Sequence, residues 1–395
     1  MKRRRFILLA AALLAGSLAI SCGGDDPTTP SPDPDPDPQP ERSHTLIVYM
    51  MGGDNGLETF MDNNLGKIMS AADAIPDDGH IAIFYDRGNY TRLTELIVDN
   101  GIPKQRVIEE YNISQSTVDP QFMAGVLDKI RQTMPAESYG LVLSSHGGGW
   151  VPSDIFDLYL NQSPSTSAAP RPAPRFFGQD GYDCMEIPDL VKALSGMHFD
   201  YILFDACFMA SVEALYDLRK TADRIIASPA EVMGSGFPYK EIIPLLFTPD
   251  HSLPEVCQTF MSLYRNDSGT ISLFDCSKLE ALAQSMKSVM AVGHSPADVS
   301  SIQGYEGFDP HLYFDLEQYV ESMNVGAQLL ADFRKSLSAA VIWHDNTPTF
   351  YSDYGSRGTI ALPRSCGVTC HVPHDSYPQT HAAYLETAWA KAVGR

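Results

Sequence analysis

Leu141-Val142-Leu143-Ser144-Ser145-His146-Gly147-Gly148-Gly149-Trp150 and Tyr201-Ile202-Leu203-Phe204-Asp205-Ala206-Cys207 are two apolar runs, each ending in a chemically active residue. Short runs of this kind read as strands buried on both faces, the type found inside a parallel sheet with helices on either side. Ligands bind such sheets where the carboxyl ends of the strands open onto the surface. An imidazole at the end of one strand and a thiol at the end of another can therefore meet there as base and nucleophile. Gly147, Gly148 and Gly149 suit that chemistry, because backbone without side chains lets a substrate come close. The amides of Gly147 and Cys207 are then placed to donate to a developing oxyanion. A helix beginning near Ala210 would direct its positive end toward the thiol and favour the thiolate.

Outward from these runs, strands and helices alternate from residue 44 onward. His44–Met51, His80–Tyr85, Arg92–Val98 and Asp223–Ala227 read as strands, and Leu57–Ala74, Pro120–Met134, Pro188–Leu194 and Ala210–Lys220 as helices. That rhythm implies right-handed crossovers and a mostly parallel sheet with helices on both faces. Residues 151–177, rich in Pro, Ser and Ala, interrupt it directly after His146 and should border the site. Beyond Phe237 the periodicity continues, with helices at 253–264, 278–292 and 325–340 and strands at 271–274, 339–343 and 359–362. About 350 residues exceed one typical core, so a catalytic domain over 44–240 and a C-terminal α/β subdomain over 241–395 are expected.

The start of the chain speaks for export. Lys2, Arg3, Arg4 and Arg5 precede an apolar stretch from Phe6 to Ile20, too short to span a bilayer comfortably. It ends at Leu18-Ala19-Ile20-Ser21-Cys22, which resembles a bacterial lipobox; residues 1–21 would be the signal and Cys22 the lipidated first residue of the mature protein. Residues 22–43, with Asp33-Pro34-Asp35-Pro36-Asp37-Pro38, cannot bury a core and read as an extended, self-repelling tether. This predicts an exported protein anchored by lipid to the bacterial outer membrane, on its periplasmic or surface face. Losing the signal leaves 24 Lys and Arg against 49 Asp and Glu, a net charge of −25. No basic block survives, which excludes nucleic acid as a partner class, and the acidic balance favours cationic substrates.

Seven cysteines are too few for a disulfide scaffold in a chain of this length. Cys366 and Cys370 either close a small loop or stay as thiols. Zinc is the rival there, with His371 and His374 adjacent, but no second Cys-x-x-Cys accompanies them. No metal site and no cofactor are expected.

The paired motifs Ser145-His146-Gly147 and Asp205-Ala206-Cys207 resemble those of clostripain-type cysteine peptidases, in the clan of caspases, legumains, gingipains and separases. The stretch from Thr45 to Glu58 resembles that family's first strand and helix start. Ala227-Ser228-Pro229-Ala230-Glu231 and Gly234 to Tyr239 resemble the segment after a later strand, and Gly358 to Pro363 a late strand. The resemblance implies a caspase-like fold and an exported cysteine endopeptidase acting on protein or peptide substrates. Carried over by position, Cys207 is the nucleophile, His146 the general base and acid, and Gly147 and Cys207 the oxyanion donors. Asp205 falls at the base of the pocket for the residue before the scissile bond (P1), where a carboxylate selects Arg or Lys. Glu231 is a second acid for that wall. Family members are often cut between the two motifs, which makes Arg175 or Arg171 a self-processing site; Pro172 follows Arg171 and disfavours it. Some members need calcium, but Asp180, Asp183 and Asp189 form no recognisable loop. Two other readings use the same residues: a catalytically silent surface binding module, and a cysteine transpeptidase or ligase.

Overall fold

The computed structural model describes residues 43–395 other than 54, 154–176, 182, 265–267, 295, 297, 356–357 and 375–377. Its centre is His44–Met51 (β1), whose eight residues are all buried. Each side chain so buried contributes about 1.5–3 kcal/mol if large and aliphatic, which is why the run needs cover on both faces. Along β1 the side chains alternate: Ile47, Tyr49 and Met51 enter one core, and Leu46, Val48 and Met50 enter another. The first core is covered by helices Pro120–Thr133, Ile187–Leu194, Val212–Leu218, Leu279–Val292 and Ala327–Ala340. The second is covered by Glu58–Met69, Tyr239–Leu246 and Pro249–Leu263. Local signals set the helix starts. Asp119, for example, accepts from the amides of Gln121 and Phe122, with Pro120 in the first turn.

Among the described residues the main sheet has nine strands. After β1 come His80–Asp86 (β2), Thr91–Asp99 (β3), Ile102–Tyr111 (β4), Ser138–Ser144 (β5), Phe199–Asp205 (β6), Ala222–Ala227 (β7), Thr270–Asp275 (β8) and Val341–Asn346 (β9). Their spatial order is β9-β8-β7-β6-β5-β1-β2-β3-β4. The inner five, β7 to β2, are parallel. The strand order reverses at β5 and β1, and there the carboxyl ends open a crevice. At one edge β3 and β4 form a hairpin closed by Asn100 and Gly101, both at positive φ (53° and 75°), the signature of a two-residue type I′ turn.

The caspase-like, mostly parallel sheet with helices on both faces is as expected. Residues 241–395 do not close a main sheet of their own. Instead β8 and β9 extend the same sheet beyond β7, both antiparallel to their neighbours. From residue 43 onward the described residues form one compact unit. The same region reaches back to the crevice: Phe314–Asp315 pairs with Thr369–Cys370, and Thr369 donates to the Ala210 carbonyl at 2.9 Å. No helix among the described residues is long and apolar enough to cross a membrane.

Candidate active site

Register alone brings the two chemical residues together. On adjacent parallel strands Ser144 lies opposite Asp205, and His146 and Cys207 each follow two positions later. The backbones meet just beyond: a Cβ added to Gly147 would lie 2.6 Å from the Cys207 carbonyl oxygen and 3.2 Å from its nitrogen. Glycine at 147 is what this approach requires. The two amides expected to bind an oxyanion thus come from peptides packed against each other.

The imidazole is oriented from the loop that follows β1. His146 Nε2 lies 3.0 Å from the Asn55 carbonyl oxygen. A carbonyl only accepts, so Nε2 carries the hydrogen and Nδ1 is the basic nitrogen. Asn55 is itself fixed, donating to the Met51 and Gln179 carbonyls at 3.1 and 2.7 Å while its Oδ1 accepts from the Leu57 amide at 3.1 Å. Burial holds the imidazole below its ordinary pKa, opposed by the Asn55 contact and the Glu58 charge. Burial thus favours the neutral imidazole over the imidazolium. Asn55 lies within the Thr45 to Glu58 stretch, and it meets the imidazole through its backbone oxygen, which no side-chain pattern signals.

The thiol differs from expectation. Burial, then the Glu231 carboxylate, push Cys207 up to about 12, against a lowering contact from the Val232 amide, 3.3 Å from Sγ. The helix meant to favour its thiolate starts only at Val212 and is seven residues long, so its end is not at the sulfur. Between them the chain turns sharply at Phe208, whose φ of 60° is in the left-handed region. Burial thus works against the charged form of both groups, thiolate and imidazolium.

Beside the pair lies a cavity of about 300 Å³, with His146, Cys207, Asp205, Glu231 and Asp353 on its walls and Leu57, Phe60 and Met61 as an apolar side. Asp205 is buried and accepts from the Tyr239 hydroxyl at 2.7 Å and, more weakly, from Ser144 Oγ at 3.4 Å. Burial raises its carboxyl to about 6, moderated by those bonds and by the Lys67 charge. Gly236, at φ 60°, leaves the approach open: a Cβ there would fall 2.7 Å from Asp205 Oδ2. Glu231 also lines the cavity, but its oxygens are already used. They accept from Ser352 Oγ at 2.6 Å and from the Asp353 amide at 3.0 Å, tying the hairpin of Thr349–Ser352 and Gly358–Ala361 to the pocket wall. Burial raises that carboxyl to about 7.

Cys22, Arg171 and Arg175 lie outside the described residues. The end that follows 154–176 is at the site: Phe177 is fully buried and bridges to Gly147. Cys257, Cys276, Cys366 and Cys370 are free thiols like Cys207, so Cys366 and Cys370 form no loop disulfide. Among the described residues no group of three His, Cys, Asp or Glu side chains is arranged to hold a metal ion.

Comparison with known proteins gives the family and the fold. The family model described as the clostripain family matches residues 48–374. The X-ray structure of an inactive zymogen C11 protease from Parabacteroides distasonis superimposes with a TM-score of 0.79 at 30% identity, covering 90% of this chain and 99% of that one. A secreted C11 cysteine protease from Bacteroides thetaiotaomicron, solved with an irreversible peptide inhibitor, gives 0.77 at 31% identity, covering 89% and 99%. Clostripain of Hathewaya histolytica is 24% identical over 224 residues, which are 50% of this chain and 41% of that protein; the chain thus matches about two fifths of that relative's length.

Proposed function

Since the chain belongs to the clostripain family, we propose that it is an exported cysteine endopeptidase in which Cys207 and His146 act as a dyad. The observation that carries this reading is the placement of His146 and Cys207 at paired strand ends, with Nε2 of the imidazole committed to Asn55. Nδ1 takes the thiol proton as sulfur attacks the scissile carbonyl carbon. Negative charge moves to the carbonyl oxygen, where the Gly147 and Cys207 amides receive it. As the C–N bond breaks, the imidazolium returns the proton to the departing amine. A water then loses its proton to Nδ1, attacks the thioester and releases the acid, restoring the thiol.

Asp205 gives the site its selectivity for Arg or Lys at P1. A cationic side chain entering the cavity meets a carboxylate that burial alone disfavours, so the ion pair is formed where water competes least. Glu231 acts through the hairpin it holds. Cys22 carries the lipid anchor, supported by the lipobox-like residues before it and the acidic tether after it, and by secreted relatives. Arg175, rather than Arg171, is the self-processing position, supported by a relative described as a zymogen. Fluorogenic peptides ending in Arg, Lys or a neutral residue test the specificity: Arg and Lys turnover is expected, and no turnover of any class would return the silent binding module. A denaturing gel tests processing, with two fragments for wild type and one band for Cys207→Ala; a single band for both removes the processing step.

A further inference from the structure

The glycine run after His146 and the turn after Cys207 are held together from a third place. Tyr313, fully buried, lays its ring flat on Phe208, with centroids 4.5 Å apart and planes 6° apart. Its hydroxyl donates to the Gly148 carbonyl. These are the two points of the site that most need restraint. Phe208 is a non-glycine residue at φ 60°, a conformation that persists only where surroundings impose it. Gly148 sits among three consecutive glycines, the segment with the widest backbone freedom, and Gly149 is at φ 58°.

Tyr313 is braced in turn. Its amide donates to Glu306 Oε1 at 3.1 Å, its carbonyl accepts from the Tyr305 amide at 3.0 Å, and Glu306 Oε2 meets His311 Nδ1 at 2.8 Å. Glu306 is fully buried, so this brace is shielded from water. A loop from the C-terminal third thereby contacts both halves of the site.

We propose that Tyr313 is a positioning residue for acyl transfer: by holding Gly148 and Phe208 against each other it sets the Gly147 and Cys207 amides at the spacing a tetrahedral oxyanion needs. This rests on the peptidase reading above. The oxyanion exists only after attack, so the effect belongs to the transition state and should fall on kcat while sparing KM. Alkylation of Cys207 by iodoacetamide forms no oxyanion and should not sense it.

The test uses Tyr313→Phe, which keeps the ring stack and removes the donor, and Tyr313→Leu, which loses both. For Tyr313→Phe, kcat on peptide amides should fall about tenfold, with KM and the iodoacetamide rate within about twofold of wild type. Tyr313→Leu should fall further in kcat. Unchanged kcat in Tyr313→Phe overturns the proposal. So does an alkylation rate that drops by the same factor as kcat, since that marks a disturbed thiol or a loosened fold. If wild type alkylates at Cys207 but turns over no peptide, the peptidase reading has failed and the proposal falls with it.

Discussion

Replacing Gly147 by alanine should disable the site while leaving both dyad side chains in place. The new Cβ would lie 2.6 Å from the Cys207 carbonyl oxygen, 3.0 Å from the Ala206 Cβ and 3.2 Å from the Cys207 nitrogen. Two of these three neighbours are backbone, which cannot rotate aside as a flexible side chain can. Relief requires the two loops to separate by about 0.4 Å or more, at a stability cost of about 1–3 kcal/mol. In the proposed mechanism, the separation falls between the two amides that receive the oxyanion. Losing one such donor lowers kcat by about 10²–10³, and displacing both should cost at least the lower figure. The assay is steady-state hydrolysis of an Arg-terminated fluorogenic peptide, with thermal unfolding as the control for folding. A folded Gly147→Ala protein within threefold of wild-type kcat/KM would refute the reasoning, because the two peptides could not then be in contact during catalysis.

Asp205→Asn should lower kcat/KM for Arg and Lys substrates about 10–100-fold while a neutral P1 substrate changes little; an unchanged preference removes Asp205 from the pocket's role. Its carboxyl, raised to about 6, protonates as pH drops through that value, so wild-type Arg cleavage should decline there by a step that Asp205→Asn lacks. Glu213 is buried and raised to about 8 from an ordinary 4.5, so between those values the folded chain keeps a proton the unfolded chain has lost. Its contribution therefore worsens as pH rises, and Glu213→Gln should gain in Tm relative to wild type between pH 5 and pH 8; a constant difference contradicts the sign.

How much of this was legible in the sequence depends on which atoms do the work. The buried strands β1, β5 and β6 announce themselves as apolar runs, and His146 and Cys207 stand at their ends. The strand Ile102–Tyr111 was not found, because as an exposed edge it mixes Lys104, Gln105, Arg106 and Glu109 into its pattern. Its turn was readable all the same: Asn100-Gly101 is a strong hairpin signal. Strand direction was not readable for β8 and β9, since an apolar run does not record whether its neighbour is parallel. Long-range contacts were the least accessible. Glu231 meets Ser352 and Asp353 across more than a hundred residues, and Asn55 acts through a carbonyl that every residue possesses. The expected help from a helix end failed for a local reason, the four residues that turn at Phe208 before the helix can begin.

The central claim, that Cys207 is the nucleophile and His146 its base, is tested most directly by labelling with an irreversible Arg-terminated peptide ketone and mapping the adduct by mass spectrometry. Cys257, Cys276, Cys366 and Cys370 are buried, and among the described residues only Cys184 shares the partial exposure of Cys207. A single adduct at Cys207 is predicted, absent in Cys207→Ala and formed at least about 100-fold more slowly in His146→Ala. An adduct at Cys184, or labelling of His146→Ala at the wild-type rate, would contradict the account.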